Sequence, residues 1–293
     1  MYYIVYGIFY LVSLLPFFMF HFIGDIIYLF LYYVAGYRKK IVFENLRNAF
    51  PEKSEDEIKS IAKKFYKAFI DNFLETIKLL SMSDKTLLKH CNGNFEPITE
   101  LLNKGKSVQI ICGHIFNWEF GGPTMVLHCS VPFIALYQKI ETGVFDKIFY
   151  KIRSRSKQSL VPSTGYMRKV AEFKNKQHAV YMLADQSPTN MHTAYWLNFM
   201  GRPAPFFNGA HKASAKNNYA VVYLSYEKGK RGYYTFHCDT VIENAAELTP
   251  QQLTVAYRDF LEKAIRRQPE NYLWTHRRWK NKFDLPEYEW IDD

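Results

Sequence analysis

The first charged residue in this chain comes late: Tyr2 to Phe20 is an apolar run without a single one. Apolar character resumes from Ile26 to Ala35 after His21 and Asp25, and Arg38, Lys39 and Lys40 follow at once. Such an uncharged length is close to the minimum for spanning a bilayer. The run either crosses once or lies in the interface as a hairpin broken around His21 to Asp25. No basic stretch precedes it and no small-residue cleavage site follows it, which argues against a removable signal peptide. By the positive-inside rule the basic triplet places the remainder on the cytoplasmic side. Residues 1–40 therefore read as a hydrophobic membrane-anchoring helical segment, and residues 41–293 as the folded domain.

Downstream, the pattern alternates between helical and strand periods. Ser54 with Glu57 three residues later makes a capping box, so a helix is expected to start there. Ile58, Ile61, Phe65, Phe69, Phe73, Ile77 and Leu80 then recur every three or four positions as one apolar stripe. Short helices are expected over Phe95–Lys104, Thr142–Ser156, Arg168–Lys176, Ala210–Asn217 and Leu253–Arg267. Strands are expected around Val108, Ile110 and Ile111, over Val131–Tyr137 and His178–Leu183, and over Tyr219–Tyr226 and Tyr233–Val241, with Glu227–Gly232 as a hairpin turn. Gly121-Gly122-Pro123 reads as a break, and Pro203 to His211 as a Pro/Gly-rich loop. The alternation predicts an α/β fold with a mixed central sheet flanked by helices.

The stretch on which candidate chemistry centres is KSVQIICGHIFNWEFGG, Lys106 to Gly122. Gly113 permits a sharp turn at the strand's carboxyl end, where open α/β sheets gather their sites. His114 and Glu119 follow, five positions apart. On a continuous helix they would lie about 140° apart around the axis, so they meet only if the chain between them is not helical throughout. The pair reads either as a general base with an orienting carboxylate or as a capped turn whose histidine is satisfied by backbone.

Composition narrows the partners. The 293 residues can bury a full core, and 24 Phe with 22 Tyr make the chain strongly aromatic. A net charge of +10 favours acidic partners: nucleic acid, anionic lipid head groups or an acidic carrier protein. Cys91, Cys112, Cys129 and Cys238 show no zinc spacing and read as reduced, mostly buried thiols, so neither a metal nor a disulfide framework is expected. There is no G-x-G-x-x-G and no G-x-S-x-G, and Gly105-Lys106-Ser107 precedes its strand instead of following it. Near the carboxyl end, Arg277 and Arg278 lie in NYLWTHRRWKNK, Asn271 to Lys282. On charge alone this is a solvated basic face. With Trp274 and Trp279 interleaved it also suits nucleic acid, and beside a membrane anchor it suits a lipid interface or a phosphate better.

Several stretches taken together resemble the late acyltransferases of lipid A biosynthesis, the lauroyl and myristoyl transferases, within the wider glycerolipid acyltransferase group. They are NLRNAFPE (Asn45 to Glu52), GHIFNWE (Gly113 to Glu119), ADQ (Ala184 to Gln186), GRPAPFFNGA (Gly201 to Ala210) and PENYLWTHRRWK (Pro269 to Lys280), which stand in the family's order across nearly the whole chain. The resemblance implies a glycerolipid acyltransferase-like fold in which the H-x-x-x-x-D/E pair, His114 and Glu119, is catalytic. It implies substrate-binding roles for Asn117, Arg153, Asp185, Gln186, Arg202, Arg277 and Arg278. Phe116 stands where the family usually has Gly.

The implied reaction needs no cofactor and no covalent enzyme intermediate. His114, held by Glu119, takes the proton from a hydroxyl of an anionic glycolipid acceptor, a lipid A precursor, and the freed oxygen attacks the thioester of an acyl carrier protein. The implied location is the inner (cytoplasmic) membrane with the catalytic domain facing the cytoplasm, and nucleic acid is not an expected partner. Two alternatives stay open: acylation of another glycolipid or an aminolipid, and an inactive membrane-anchored lipid-binding homologue, for which Phe116 is the support.

Overall fold

The computed structural model describes residues 1–156, 158–173, 176–284 and 288–291. Helix α1 (Tyr2–Leu14) and helix α2 (Phe17–Leu29) meet at Leu15-Pro16, and α2 continues as a wider π turn through Phe30–Ala35. The anchor thus breaks at Pro16 and not around His21 to Asp25. Proline has no N–H to continue α1, and its fixed φ suits the start of α2. His21 and Asp25 stay inside α2 because each meets a partner in the folded domain: Glu75 at 3.7 Å and Arg231 at 3.1 Å. Phe17–Ala35 is long and apolar enough to cross a membrane.

Helices α3 (Lys39–Ala49), α4 (Glu55–Lys78) and α5 (Asp84–His90) follow. The capping box before α4 forms as expected: Glu57 N–H donates to Ser54 Oγ at 3.3 Å, and Ser54 N–H donates to Glu57 Oε2 at 2.9 Å. Of the apolar stripe, Ile58, Phe65 and Phe69 are buried in the main core, whereas Phe73 is exposed.

The rest is an α/β domain. Its elements in order are β1 (Cys91–Gly93), α6 (Glu96–Asn103), β2 (Val108–Cys112), α7 (Trp118–His128), β3 (Phe133–Tyr137), α8 (Gly143–Arg153), β4 (Ser159–Pro162), α9 (Tyr166–Ala171), β5 (Ala179–Leu183), β6 (Ala194–Phe199), β7 (Arg202–Phe207), α10 (Gly209–Asn217), β8 (Ala220–Lys228), β9 (Tyr234–Ile242), α11 (Pro250–Arg267) and β10 (Glu289–Trp290). Among the described residues, seven strands form one sheet in the order β1-β9-β8-β2-β5-β3-β4, and β10-β6-β7 forms a second. In the main sheet only the β8–β9 hairpin is antiparallel. All five residues of β2 are buried, as a strand paired on both sides and covered on both faces requires.

Two expectations are corrected. Gly121-Gly122-Pro123 does not break the chain but lies inside α7. Pro123 comes early in the helix, where only Glu119's carbonyl loses a donor, and the glycines let the helix approach Tyr181 and Tyr226. Pro203 to His211 is not a loop throughout: Arg202–Phe207 is the edge strand of the small sheet, where prolines two apart remove no ladder bond. Its partner, Ala194–Phe199, carried no clear strand pattern. The helix expected over Arg168–Lys176 is the shorter Tyr166–Ala171, and Lys174 and Asn175 lie outside the described residues.

A methyl group on Gly121 would collide with the hydroxyls of Tyr181 and Tyr226, which are hydrogen-bonded to each other at 2.5 Å. Gly121→Ala is therefore expected to cost about 1–3 kcal/mol of stability by overpacking. Thermal or urea denaturation of the purified protein reads this directly, and an unchanged midpoint would show that the tyrosine pair yields freely.

Candidate active site

The site is set by how two neighbouring strands end. β2 and β5 are parallel, with Val108 opposite Ala179 and Cys112 opposite Leu183, and the ladder closes with Ala184 N–H donating to Cys112 O at 3.0 Å. Two residues beyond each strand stand His114 and Asp185. Continuing the register brings them side by side, and His114 Nδ1–H donates to Asp185 Oδ1 at 2.6 Å. A donating Nδ1 leaves Nε2 with its lone pair, and the Gln186 amide sits 3.3 Å from that nitrogen. The His114 side chain is 19 % exposed while Asp185 is buried. The imidazole is therefore reachable and its partner is not.

Burial alone pushes the Asp185 carboxyl up. The charge and the side-chain and backbone hydrogen bonds of His114 outweigh it, with help from His276, and hold the group at about 2. His276 is itself pushed down to about 4 by burial. Asp185 is thus a fixed negative charge behind the imidazole at neutral pH, the arrangement that stabilises an imidazolium as it forms.

The sequence pointed to Glu119 as that carboxylate, and the structure pairs it elsewhere. Glu119 is buried at the start of α7 and takes a two-pronged ion pair from Arg153: Nε to Oε2 at 3.0 Å and Nη2 to Oε1 at 2.5 Å. Trp118 Nε1 adds a bond to Oε1 at 3.2 Å. Burial pushes the Glu119 carboxyl up, but the Arg153 charge and hydrogen bonds, then Trp118 and His114, bring it below the usual carboxylate range. The physical reason for that pairing is direction. The helix begins at Trp118, so Glu119 faces the carboxyl end of α8, while the Nδ1 side of the ring faces β5.

Asn117, expected at the substrate, has a task in the fold. Its Oδ1 accepts from Glu119 N and Phe120 N at 3.1 and 3.3 Å, capping α7, and its Nδ2 donates to Glu75 Oε2 at 3.0 Å. Glu75 is fully buried and also accepts from Tyr234 Oη at 2.6 Å. Phe116 is buried against Phe65, Phe69 and Trp118, at 5.9, 6.3 and 5.4 Å between ring centroids, so its bulk goes into the core beside α4.

The carboxyl-terminal motif holds the turn from the other side. Phe116 N–H donates to Asn271 O at 2.8 Å, Asn271 Nδ2 donates to Phe116 O at 2.6 Å, and Leu273 N–H donates to His114 O at 3.1 Å. Asn45, from the first motif, donates to the carbonyls of Trp274 and His276 at 2.8 Å each. Arg278 is buried with its guanidinium 4.5 Å from the Phe206 ring centroid, and its Nη1 donates to Ser187 Oγ at 3.2 Å. Arg202 and Arg277 are exposed, and among the described residues no hydrogen bond or ion pair joins either to this cluster. Glu75 was the residue that sequence reasoning passed over. Its only signal was a carboxylate interrupting the polar-apolar rhythm of α4.

Among the described residues no group of three His, Cys, Asp or Glu side chains is placed to hold a metal ion. What the cluster can do is remove a proton: an accessible imidazole nitrogen, a buried carboxylate behind it, and a guanidinium nearby.

The model of the bacterial lipid A biosynthesis acyltransferases matches residues 1–281. Two similar proteins are a lipid A biosynthesis palmitoleoyltransferase of Escherichia coli (strain K12) and a lipid A biosynthesis acyltransferase of Shigella flexneri. Each is 23 % identical over 247 residues, which is 84 % of this chain and 79 % of the relative. Matched from its first residue through the motif that clamps the histidine turn, the chain belongs to the bacterial lipid A biosynthesis acyltransferase family.

Proposed function

We propose that this acyltransferase moves a fatty acyl chain from an acyl carrier protein thioester to a hydroxyl of a lipid A precursor, with His114 as general base and Asp185 as the group that orients it. The observation that carries the reading is the 2.6 Å bond from Nδ1 to a buried, ionised Asp185, which leaves Nε2 as the accepting nitrogen. His114 Nε2 takes the acceptor hydroxyl's proton as the oxygen attacks the thioester carbonyl. The C–S bond then breaks and the carrier's thiolate leaves, receiving a proton from the imidazolium or from solvent. Gln186, now resting near Nε2, marks where that hydroxyl would sit.

Glu119 takes a supporting part in this scheme. It fixes Arg153, whose side chain is 21 % exposed and whose Nη1 takes no protein partner among the described residues. That nitrogen is suited to the developing oxyanion or to a phosphate of the acceptor. The net charge of +10 favours both an anionic acceptor and an acidic carrier. Arg38, Lys39 and Lys40 after the apolar segment, with four free cysteines, support a place on the cytoplasmic face of the inner membrane.

His114→Ala is expected to lower the rate at least about 100-fold, the usual contribution of a general base. Asp185→Asn should lower kcat by at least about 100-fold with little change in KM, because the amide favours the wrong tautomer while keeping the shape. Both are measured with acyl carrier thioester and purified lipid A precursor in detergent. Retention of activity within a few-fold by either variant would end its assigned role. Mass spectrometry of membrane lipids from cells lacking the protein names the acceptor: a missing acyl chain on lipid A supports the reading, and a loss confined to another lipid overturns the acceptor.

The pH dependence has a definite sign. The folded-state pKa of Asp185 lies below its ordinary value of 3.8, so its contribution to stability is present above about pH 4 and is lost as pH falls toward 2. Acid titration of unfolding should accordingly be less steep below pH 4 in Asp185→Asn than in the parent protein. Identical acid profiles would show that the carboxylate is not held by His114.

A further inference from the structure

A helix that crosses a bilayer needs hydrocarbon, or other membrane-embedded helices, along its whole length. Helix α2 instead lies antiparallel along α4, rung by rung. At one end Lys78 Nζ donates to the carbonyls of Ser13 and Leu15, both at 2.7 Å, and Ser81 Oγ donates to Ser13 O at 2.6 Å. His21 comes next, 3.7 Å from Glu75. Asp25 then meets Arg231, which is bound in turn to buried Asp71 at 2.7 Å. A Cβ on Gly24 would lie 3.3 Å from Asp71 Oδ1, so the two backbones approach closely here. Lys67 covers the Tyr28 ring at 5.2 Å, and Tyr32 packs edge-on against Tyr66, 5.2 Å between centroids.

Helix α4 cannot follow α2 into hydrocarbon. It carries exposed Lys59, Lys63, Lys64 and Lys67, and it packs Phe65 and Phe69 against the histidine turn through Phe116. Moving those lysines into a membrane is costly, and pulling α2 away would take His21 from buried Glu75 and Asp25 from Arg231. The opposite face of α2 is apolar and open, with Phe18, Phe22, Ile26, Leu29, Phe30, Tyr33 and Val34 exposed. Helix α1 adds Tyr3, Ile4, Ile8, Leu11 and Leu14, and its 13 residues are too few to span. Exposed Lys40 and Lys147 flank this surface, Lys147 sitting 6.0 Å from the Tyr2 ring.

We propose that α1 and α2 bind the enzyme to a single leaflet, lying in the boundary between head groups and acyl chains, with the amino terminus on the same side as the catalytic domain. This rests on the reading of residues 1–40 as the membrane anchor and states how that anchor is used. The occupant of the open face is the lipid surface itself, since exposed apolar side chains on both helices, bordered by cations, complement acyl chains beneath anionic head groups. Because α4 lies between α2 and the histidine turn, His114 is held near the plane of the leaflet, where a glycolipid's hydroxyacyl chains emerge.

The test uses the full chain in native inner membranes, with one epitope tag at the amino terminus and another at the carboxyl terminus. Protease added to inside-out vesicles is expected to remove both tags, and protease added to intact spheroplasts neither. Loss of the amino-terminal tag alone from spheroplasts would overturn the proposal and leave the anchor intact. In vesicles of brominated phosphatidylglycerol, a Phe22→Trp variant should be quenched at least about twofold more strongly by bromines near the head group than by bromines at the bilayer centre. The reverse order would overturn the proposal even with tag results in its favour. Recovery of the protein in the soluble fraction would instead overturn the anchor reading itself, and this inference with it.

Discussion

The parallel register of β2 and β5 is the constraint from which the candidate site follows. Cys112 lies opposite Leu183, and each chain runs two residues further before turning away. The ladder itself sets His114 and Asp185 side by side, with Nδ1 and Oδ1 2.6 Å apart. A one-residue slip would turn every side chain of β5 to the opposite face and take the carboxylate from the imidazole. The buried apolar faces of both strands make such a slip costly, so the core that stabilises the sheet also specifies the dyad.

Around that dyad the charges are sorted into separate pairs, each with its own dielectric setting. Asp185 is buried behind His114, and Glu119 is buried under Arg153. Glu75 accepts from Asn117 and Tyr234, and Asp71 takes Lys228 and Arg231. Burial raises the Asp71 carboxyl, and the two cations outweigh it. Each pairing satisfies a carboxylate that would otherwise be expensive inside the domain, and each joins elements far apart in sequence. Through Glu75 the cap of α7 is tied to α4, and through Asp71 and Arg231 α4 is tied to the anchor. The histidine turn and the apolar amino-terminal helices therefore pack against one helix.

The five motifs that ran through the chain in family order have a common physical explanation in this structure. Asn45 holds the carbonyls of Trp274 and His276, Asn271 and Leu273 hold the backbone of the histidine turn, and Arg278 lies on Phe206 of β7. Several residues of those motifs together hold one turn. Asn117 belongs with it as the residue that caps α7.

By itself, the sequence determined the local elements and the chemical class. The capping box at Ser54, the stripe through Ile58, Phe65 and Phe69, the buried strand before Gly113 and the hairpin around Gly232 depend on neighbours within a few positions, and they formed as their spacing implied. His114 was legible as the candidate reactive group because a glycine and a strand end precede it. Which carboxylate lies against its ring was not legible. Glu119 is five residues away and Asp185 is 71 residues away, yet strand adjacency, which no local pattern encodes, puts the distant one on the ring. The same holds for the polar positions inside the anchor: His21 and Asp25 looked like a break in an apolar run. Only the packing of α2 on α4 made them the points where the anchor meets the domain, since a charge in an apolar helix is read by what it faces in space.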